Sequence, residues 1–266
     1  MKKFFVSSDI EGTSGIVCWD ETDFGKQRYD YFSKQMSRES AAACEGLIDA
    51  GADDVLVRDA HDSARNIHPD MLPKKARLMR NWESHPYSMM SGLDESFDGV
   101  VFTGYHSAVG WDTNPLSHTM NTHVTSILLN GEICSELMIN ALTASMLKVP
   151  VVGVTGDKGL CDWIRTVLPG VAVVPTIEGR GSATVSIHPD LAVERIRQAM
   201  REAASGDFSE NVFPMPDRFE LTVRWREHYK AYGAAFYPGC KQTGPYEAVY
   251  TGANWMDVLC FMHWVL

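Results

Sequence analysis

Short, nearly continuous apolar runs recur along the first two thirds of the chain, and each breaks into polar residues at its carboxyl end. Lys3 to Ser7, Asp54 to Arg58, Val100 to Gly104 and Pro150 to Val154 are of this kind. Runs of about four to eight residues without alternation read as strands covered on both faces, the habit of parallel sheets. Between them lie stretches with helical spacing. Ser33 to Ala50 carries Met36, Ala43, Leu47 and Ile48 on one side and Gly51 as its stop, and Glu132 to Lys148 carries Leu137, Ala141, Leu142 and Leu147. Gly159 to Leu168 is a third helix, closed by Pro169-Gly170. Ala76 to Arg80 alternates as a half-exposed strand, Ser88 to Leu93 forms a helical turn, and His123 to Leu129 is a strand leading into Asn130-Gly131, the strongest hairpin signal in the chain. Val171 to Val174 is a further strand. Strand–helix–strand alternation of this kind predicts an α/β fold, a three-layer, mostly parallel sheet.

After about residue 180 the pattern changes. Leu191 to Ala204 is one long amphipathic helix, Phe219 to Trp225 an alternating strand, residues 226–236 helical, Tyr246 to Tyr250 a strand, and Asn254 to Trp264 an apolar helix. That is α+β patterning. The expected organisation is therefore an α/β domain over residues 1–180 and a smaller α+β domain over 181–266, with the boundary in a loop at about 175–187 that holds Gly179 and Gly181. Residues 12–31 lack clean periodicity and read as a long loop, a candidate lid.

Composition narrows the class without deciding it. With 266 residues, 45% hydrophobic and 22% charged, the chain can build a full core and is no disordered polymer. A formal net charge of −10 and the lack of any Lys/Arg run argue against a nucleic-acid binder. Met1-Lys2-Lys3 leads straight into the first strand without a signal-peptide core, and no apolar run reaches membrane-spanning length. Six scattered cysteines without a Cys-x-x-Cys pair read as free thiols of a reducing compartment. The expected location is cytoplasmic.

Chemistry gathers at the strand ends. The first apolar run breaks into Asp9 and Glu11, two residues apart and followed by Gly12 and Gly15, which let the backbone turn away so that both carboxylates face one way. Two such acids repel each other unless a proton or a cation lies between them. His61 follows the second buried strand and His106 the strand at Val100 to Gly104, and Glu136 lies early in the helix after the hairpin. In a parallel sheet all carboxyl ends face one edge, where ligands bind. Two imidazoles and three carboxylates without a thiolate fit a two-metal hydrolytic site, with Zn²⁺ or Mn²⁺ ahead of Mg²⁺. Taken singly, each residue has a plainer reading: an acidic turn or helix cap, a loop histidine bonded to Asp59 or Asp62, a core histidine beside Tyr105, a carboxylate complementing a helix dipole. Those readings do not explain why all five share one edge. His118, between Ser117 and Thr119, is a candidate general base or a loop histidine. Asn140 reads as structural and Asp157 as a helix cap. No Gly-x-Gly-x-x-Gly, P-loop or Gly-x-Ser-x-Gly is present.

Five motifs in order, Ser8-Asp9-Ile10-Glu11-Gly12-Thr13-Ser14-Gly15, Asp59-Ala60-His61-Asp62-Ser63, Gly104-Tyr105-His106, Leu116-Ser117-His118-Thr119-Met120 and Asn130-Gly131 with Glu136-Leu137-Met138-Ile139-Asn140-Ala141, resemble the D-aminopeptidases of the dipeptide-transport-operon type. The resemblance runs to about Asp157 and is weak beyond residue 180. It implies a two-zinc aminopeptidase that hydrolyses the N-terminal peptide bond of short peptides with D-amino-acid, D-Ala-type N-termini, through a metal-activated water and a catalytic histidine. Asp9, Glu11, His61, His106 and Glu136 would be the zinc ligands, with Asp9 as bridge, and His118 the catalytic histidine. It also implies a self-compartmentalising homodecamer, with the C-terminal part as assembly surface. Trp111, Asp112 and the pair Asp157-Lys158 depart from the family pattern and bear on substrate choice. The rivals are another two-metal hydrolase, an amidase or phosphoesterase, and a metal-dependent binding module without catalysis. A phosphoesterase needs a cationic clamp, for which only Arg58 and Arg65 lie near the edge.

Overall fold

A computed structural model describes every residue from Met1 to Leu266. In chain order its first elements are β1 (Lys3–Ser8), α1 (Tyr29–Asp49), β2 (Asp54–Asp59), β3 (Ala76–Met79), β4 (Gly99–Tyr105), β5 (Val124–Leu129), β6 (Glu132–Ile133) and α2 (Glu136–Met146). There follow β7 (Val151–Asp157), α3 (Lys158–Val167), β8 (Ala172–Arg180), β9 (Ala183–Ser186), α4 (Pro189–Ser205), β10 (Phe219–Trp225), α5 (His228–Ala234), β11 (Cys240–Gly244), β12 (Glu247–Gly252) and α6 (Trp255–Val265). Seven strands form one sheet in the order β3-β2-β1-β4-β7-β8-β9, and five form a second in the order β11-β12-β10-β5-β6. All pairings in the first are parallel except that of β9 with β8. The second is antiparallel throughout. The α/β expectation thus holds as a mixed, mostly parallel sheet with a second antiparallel sheet beside it.

Strand alternation explains why the parallel strands are apolar on both sides. Phe4 and Val6 of β1 enter a core with Leu47 of α1 and Ile196 and Met200 of α4. Phe5 points the other way, into a core with Phe102, Leu137 and Leu142 of α2, Leu221 of β10 and Phe261 of α6. The second sheet is therefore fastened to one face of the first through α2 and α6.

Three stretches differ from the sequence reading. Residues 175–187 are not a loop: β8 runs on to Arg180 and β9 pairs back on it across Gly181, whose φ is +60°. Glu132 and Ile133 pair with Leu129 and Leu128 as β6, and the helix starts only at Glu136, where the Ser135 side chain accepts from the Met138 amide. The Asn130-Gly131 turn between β5 and β6 is the one the sequence signals, with φ of +53° and +90°. β11 escapes sequence reading because its residues, Cys-Lys-Gln-Thr-Gly, are mostly polar and lie on an exposed edge. The second sheet draws β5 and β6 from before residue 180 and β10, β11 and β12 from after it.

The first sheet reverses direction at β1, which has β2 on one side and β4 on the other. The chain ends beyond such a pair diverge and leave a crevice. Packing there is tight. A Cβ on Gly12 would lie 1.9 Å from the Tyr105 carbonyl oxygen, and one on Gly104 2.2 Å from that of Asp9. Gly12 is thus required by the close approach of β4, whereas Gly15, at φ +91°, is the residue that turns the chain. Gly12→Ala should destabilise the fold by about 3 kcal/mol or more, because a backbone carbonyl cannot yield as a side chain can. Thermal unfolding with and without added metal is the check, and an unchanged midpoint would refute it.

Candidate metal centre

The crevice beyond β1 and β4 opens into a cleft of about 750 Å³. Asp9 and Glu11 follow β1, His61 follows β2, His106 follows β4, and Glu136 is the first residue of α2. All five are buried, with exposures of 7% or less. One nitrogen of His61, Nδ1, lies 3.3 Å from Asp9 Oδ1 and 3.2 Å from Glu11 Oε1. His106 Nε2 lies 3.5 Å from both Asp9 Oδ2 and Glu136 Oε1. Three triplets have their ligand-type atoms within 4.8 Å of one another, Asp9–Glu11–His61, Asp9–His106–Glu136 and Glu11–His106–His118. Asp9 belongs to the first two and offers a different oxygen to His61 and His106. All five candidate ligands come together.

Each imidazole is oriented from behind. His61 Nε2 donates to the Thr22 carbonyl at 3.1 Å, His106 Nδ1 to the Ser107 carbonyl at 3.0 Å, and His118 Nδ1 to the Leu116 carbonyl at 2.9 Å. Each ring thereby turns its other nitrogen toward the carboxylates. This is how metal-binding histidines are held. Asp9 Oδ2, Glu11 Oε2 and His106 Nε2 are buried and lack a hydrogen-bond partner. Buried orphans of this chemistry fit a divalent cation such as zinc, with imidazole and carboxylate donors.

The electrostatics point the same way. Burial, with Glu11 beside it, pushes the Asp9 carboxyl well above its usual range. Burial also opposes the charge on Glu11 and Glu136, yet His61 beside the first and His106 beside the second bring both below the usual carboxylate range. His61 and His106 are raised: burial works against their protons, but Glu11 and Glu136 outweigh it. The cluster calls for positive charge at its centre.

His118 behaves differently. Burial and the neighbouring His106 lower its pKa. Its ring stacks on that of His106 at 4.2 Å and 6°, and Trp19 packs edge-on against it at 5.1 Å. Nε2 lies 3.5 Å from Glu136 Oε1 and 3.9 Å from Glu11 Oε1, and the ring lines the cleft.

Supporting residues were mostly invisible in sequence. Thr22 and Trp19 lie in the segment before α1, and touch His61 and His118 respectively. Met120, at φ +67°, donates its amide to Glu136 Oε1 at 2.7 Å. Asp59 accepts from the Asn66 and Ile67 amides, and Asn66 Nδ2 donates to the His61 carbonyl, which closes the loop around His61. Asp157 caps α3 through the Leu160 amide, as expected, and also accepts from Ser107 N and Oγ, next to His106. Asn140 is structural and donates to Tyr105 Oη at 2.9 Å. Trp111 packs on Trp163 of α3 and does not line the cleft.

The D-aminopeptidase family model matches residues 1–264. A D-aminopeptidase of Bacillus subtilis (strain 168) is 29% identical over 240 residues, 89% of this chain and 86% of that one. The solved structure of the Zn-dependent D-aminopeptidase DppA from Bacillus subtilis, a self-compartmentalizing protease, superposes with a TM-score of 0.90 at 27% identity, over 98% of this chain and 95% of its own. With the match running almost end to end, the chain belongs to the D-aminopeptidase family.

Proposed function

We propose that the chain is a zinc-dependent aminopeptidase that removes D-residues, D-Ala-type above all, from the N-termini of short peptides. Asp9, Glu11, His61, His106 and Glu136 would hold two ions, with Asp9 the residue common to both ligand sets. The observation that carries this reading is the place of Asp9 in two triplets, one oxygen toward each. When bound, the ions supply a Lewis acid for the scissile carbonyl and acidify water at neutral pH.

The remaining steps belong to the chain. His118 takes a proton from the attacking water at Nε2 and returns it to the amine nitrogen as the C–N bond breaks. Glu136 and Glu11, within 3.9 Å, stabilise the imidazolium that forms in between. Trp19 and the stacked His106 keep the ring in one orientation. Because burial and His106 lower the His118 pKa, the free base persists to more acidic pH than for an ordinary histidine. The acid limb of the kcat profile should therefore fall below the usual histidine value of about 6.5. A pH series at saturating substrate checks this, and a limb above 7 would refute it.

Neither of the two arginines near the edge supplies a phosphoesterase clamp. Arg58 is buried, donates to the Asn81 carbonyl and stacks on Trp82, and Arg65 does not line the cleft. We also infer a homo-oligomer, as in the self-compartmentalizing relative, and propose a decamer. The exposed aromatics Tyr229, Tyr232 and Phe236, on and just after α5, together with Trp264 are the surface that assembly would cover. Light scattering reads the mass directly. The test of function is zinc quantification combined with a panel of D- and L-alanyl dipeptides. Two zincs per chain and turnover of the D-series support the reading, and metal without hydrolysis would replace it with a binding module.

A further inference from the structure

The cleft carries five acidic side chains, Asp9, Glu11, Asp23, Asp62 and Glu136, and a single Lys or Arg, which is Arg226. A lone cation on an otherwise acidic wall needs a reason. Its neighbours in sequence have theirs: Arg218 pairs with Glu220 and Arg224 with Glu247. Arg226 is exposed and pairs with no carboxylate of the chain.

Its position is fixed by the backbone. Register between β10 and β5 shifts at Arg224/Trp225. Irregularities of this kind re-aim the residues that follow. Trp225 stays buried at 2% exposure, and the Arg226 amide donates to the His123 carbonyl at 2.9 Å. That bond ties Arg226 to the segment of Asn121, Thr122 and Val124, which lines the same cleft just after His118. Arg226 thus enters from the second sheet, while Asp9, Glu11 and His61 stand on the first.

We propose that Arg226 is the docking point for the free C-terminal carboxylate of the substrate. This deepens the proposed function and rests on it: the metal centre takes the amino end, and Arg226 takes the other end. A guanidinium grips a carboxylate through paired N–H donors. The chain then favours peptides with a free carboxyl group over their amides.

The test compares the zinc-loaded wild type, R226A, R226E and R226K on three substrates. These are D-alanyl-glycine, its C-terminal amide, and a D-alanyl peptide amide whose second residue has an acidic side chain. Wild type should prefer the free acid over the plain amide by about 10- to 100-fold in kcat/KM, mainly through KM. That preference should collapse in R226A, invert in R226E and return in part in R226K. As a surface residue Arg226 tolerates replacement, so unchanged thermal midpoints should accompany these effects. An equal loss on acid and amide, or an unchanged KM for the acid in R226A, overturns the assignment. So does an acidic-side-chain amide that behaves like the free acid, since the site would then read a side chain. A wild type that cleaves acid and amide equally sinks the Arg226 role alone, whereas a wild type that cleaves neither sinks the aminopeptidase reading as well.

Discussion

Replacing His118 by Ala is expected to lower kcat by about 10²- to 10⁴-fold, the range for loss of a general acid–base group, while zinc per chain stays at the wild-type level. The geometry separates this histidine from the other two. His61 and His106 are buried between pairs of carboxylates that raise their pKa values, and a cation would take the place of the proton each holds there. His118 is 13% exposed, lies at the cleft wall and is pushed toward the neutral base. Its Nδ1 proton is committed to Leu116, so Nε2 is the only atom that can exchange a proton with substrate. KM should change little. One observation favours the opposite outcome: Glu11, His106 and His118 also lie close enough to hold an ion. If His118→Ala loses zinc together with activity, the residue is a ligand and the proton relay must be sought elsewhere.

Asp9→Asn should have the larger effect on metal. With the shared carboxylate gone, both of its triplets are incomplete, and zinc should fall below one ion per chain with turnover lost. The consequence for stability has a less obvious sign. Without metal, burial and Glu11 hold Asp9 toward its neutral form, which the amide copies, so the metal-free midpoint should not fall. For wild type, zinc at about a thousandfold excess over its Kd adds about 4 kcal/mol. That is roughly 10 °C in a domain of this size. Chelator should therefore lower the wild-type midpoint by that order and leave Asp9→Asn nearly unmoved. Calorimetry with and without chelator decides, and a variant that still responds to zinc as wild type does would exclude Asp9 as the shared ligand.

Much of the centre was legible because strand ends in a parallel sheet converge by rule. Asp9, Glu11, His61 and His106 needed only the strand assignments, and β1, β2 and β4 announce themselves as apolar runs. Glu136 needed the hairpin signal at Asn130-Gly131, which places α2 back over the same edge. The supporting atoms were not legible, for a physical reason. The Thr22, Leu116 and Ser107 carbonyls and the Met120 amide orient the site through the backbone, which every residue type carries alike. Gly12 was seen, but its reason was misjudged, since a close approach of β4 leaves no trace in the sequence near β1. The same limit hid the 175–187 hairpin: Gly179 and Gly181 look like a loop until the pairing of Ile177 with Ser186 is known. Arg226 was missed because it follows β10, in the region where the resemblance was weak.

The two sheets contribute unequally to the centre. Asp9, Glu11, His61 and His106 hang from the parallel sheet, while His118 and Glu136 flank β5 and β6 of the antiparallel one. Ions held by the proposed ligands would act as rivets across that seam, tying together parts of the chain that are far apart in sequence. Like a late cross-link, such rivets can be set only once both sheets have docked. Zinc should then slow unfolding far more than it speeds folding, and its loss should be felt first as a loosening of the seam.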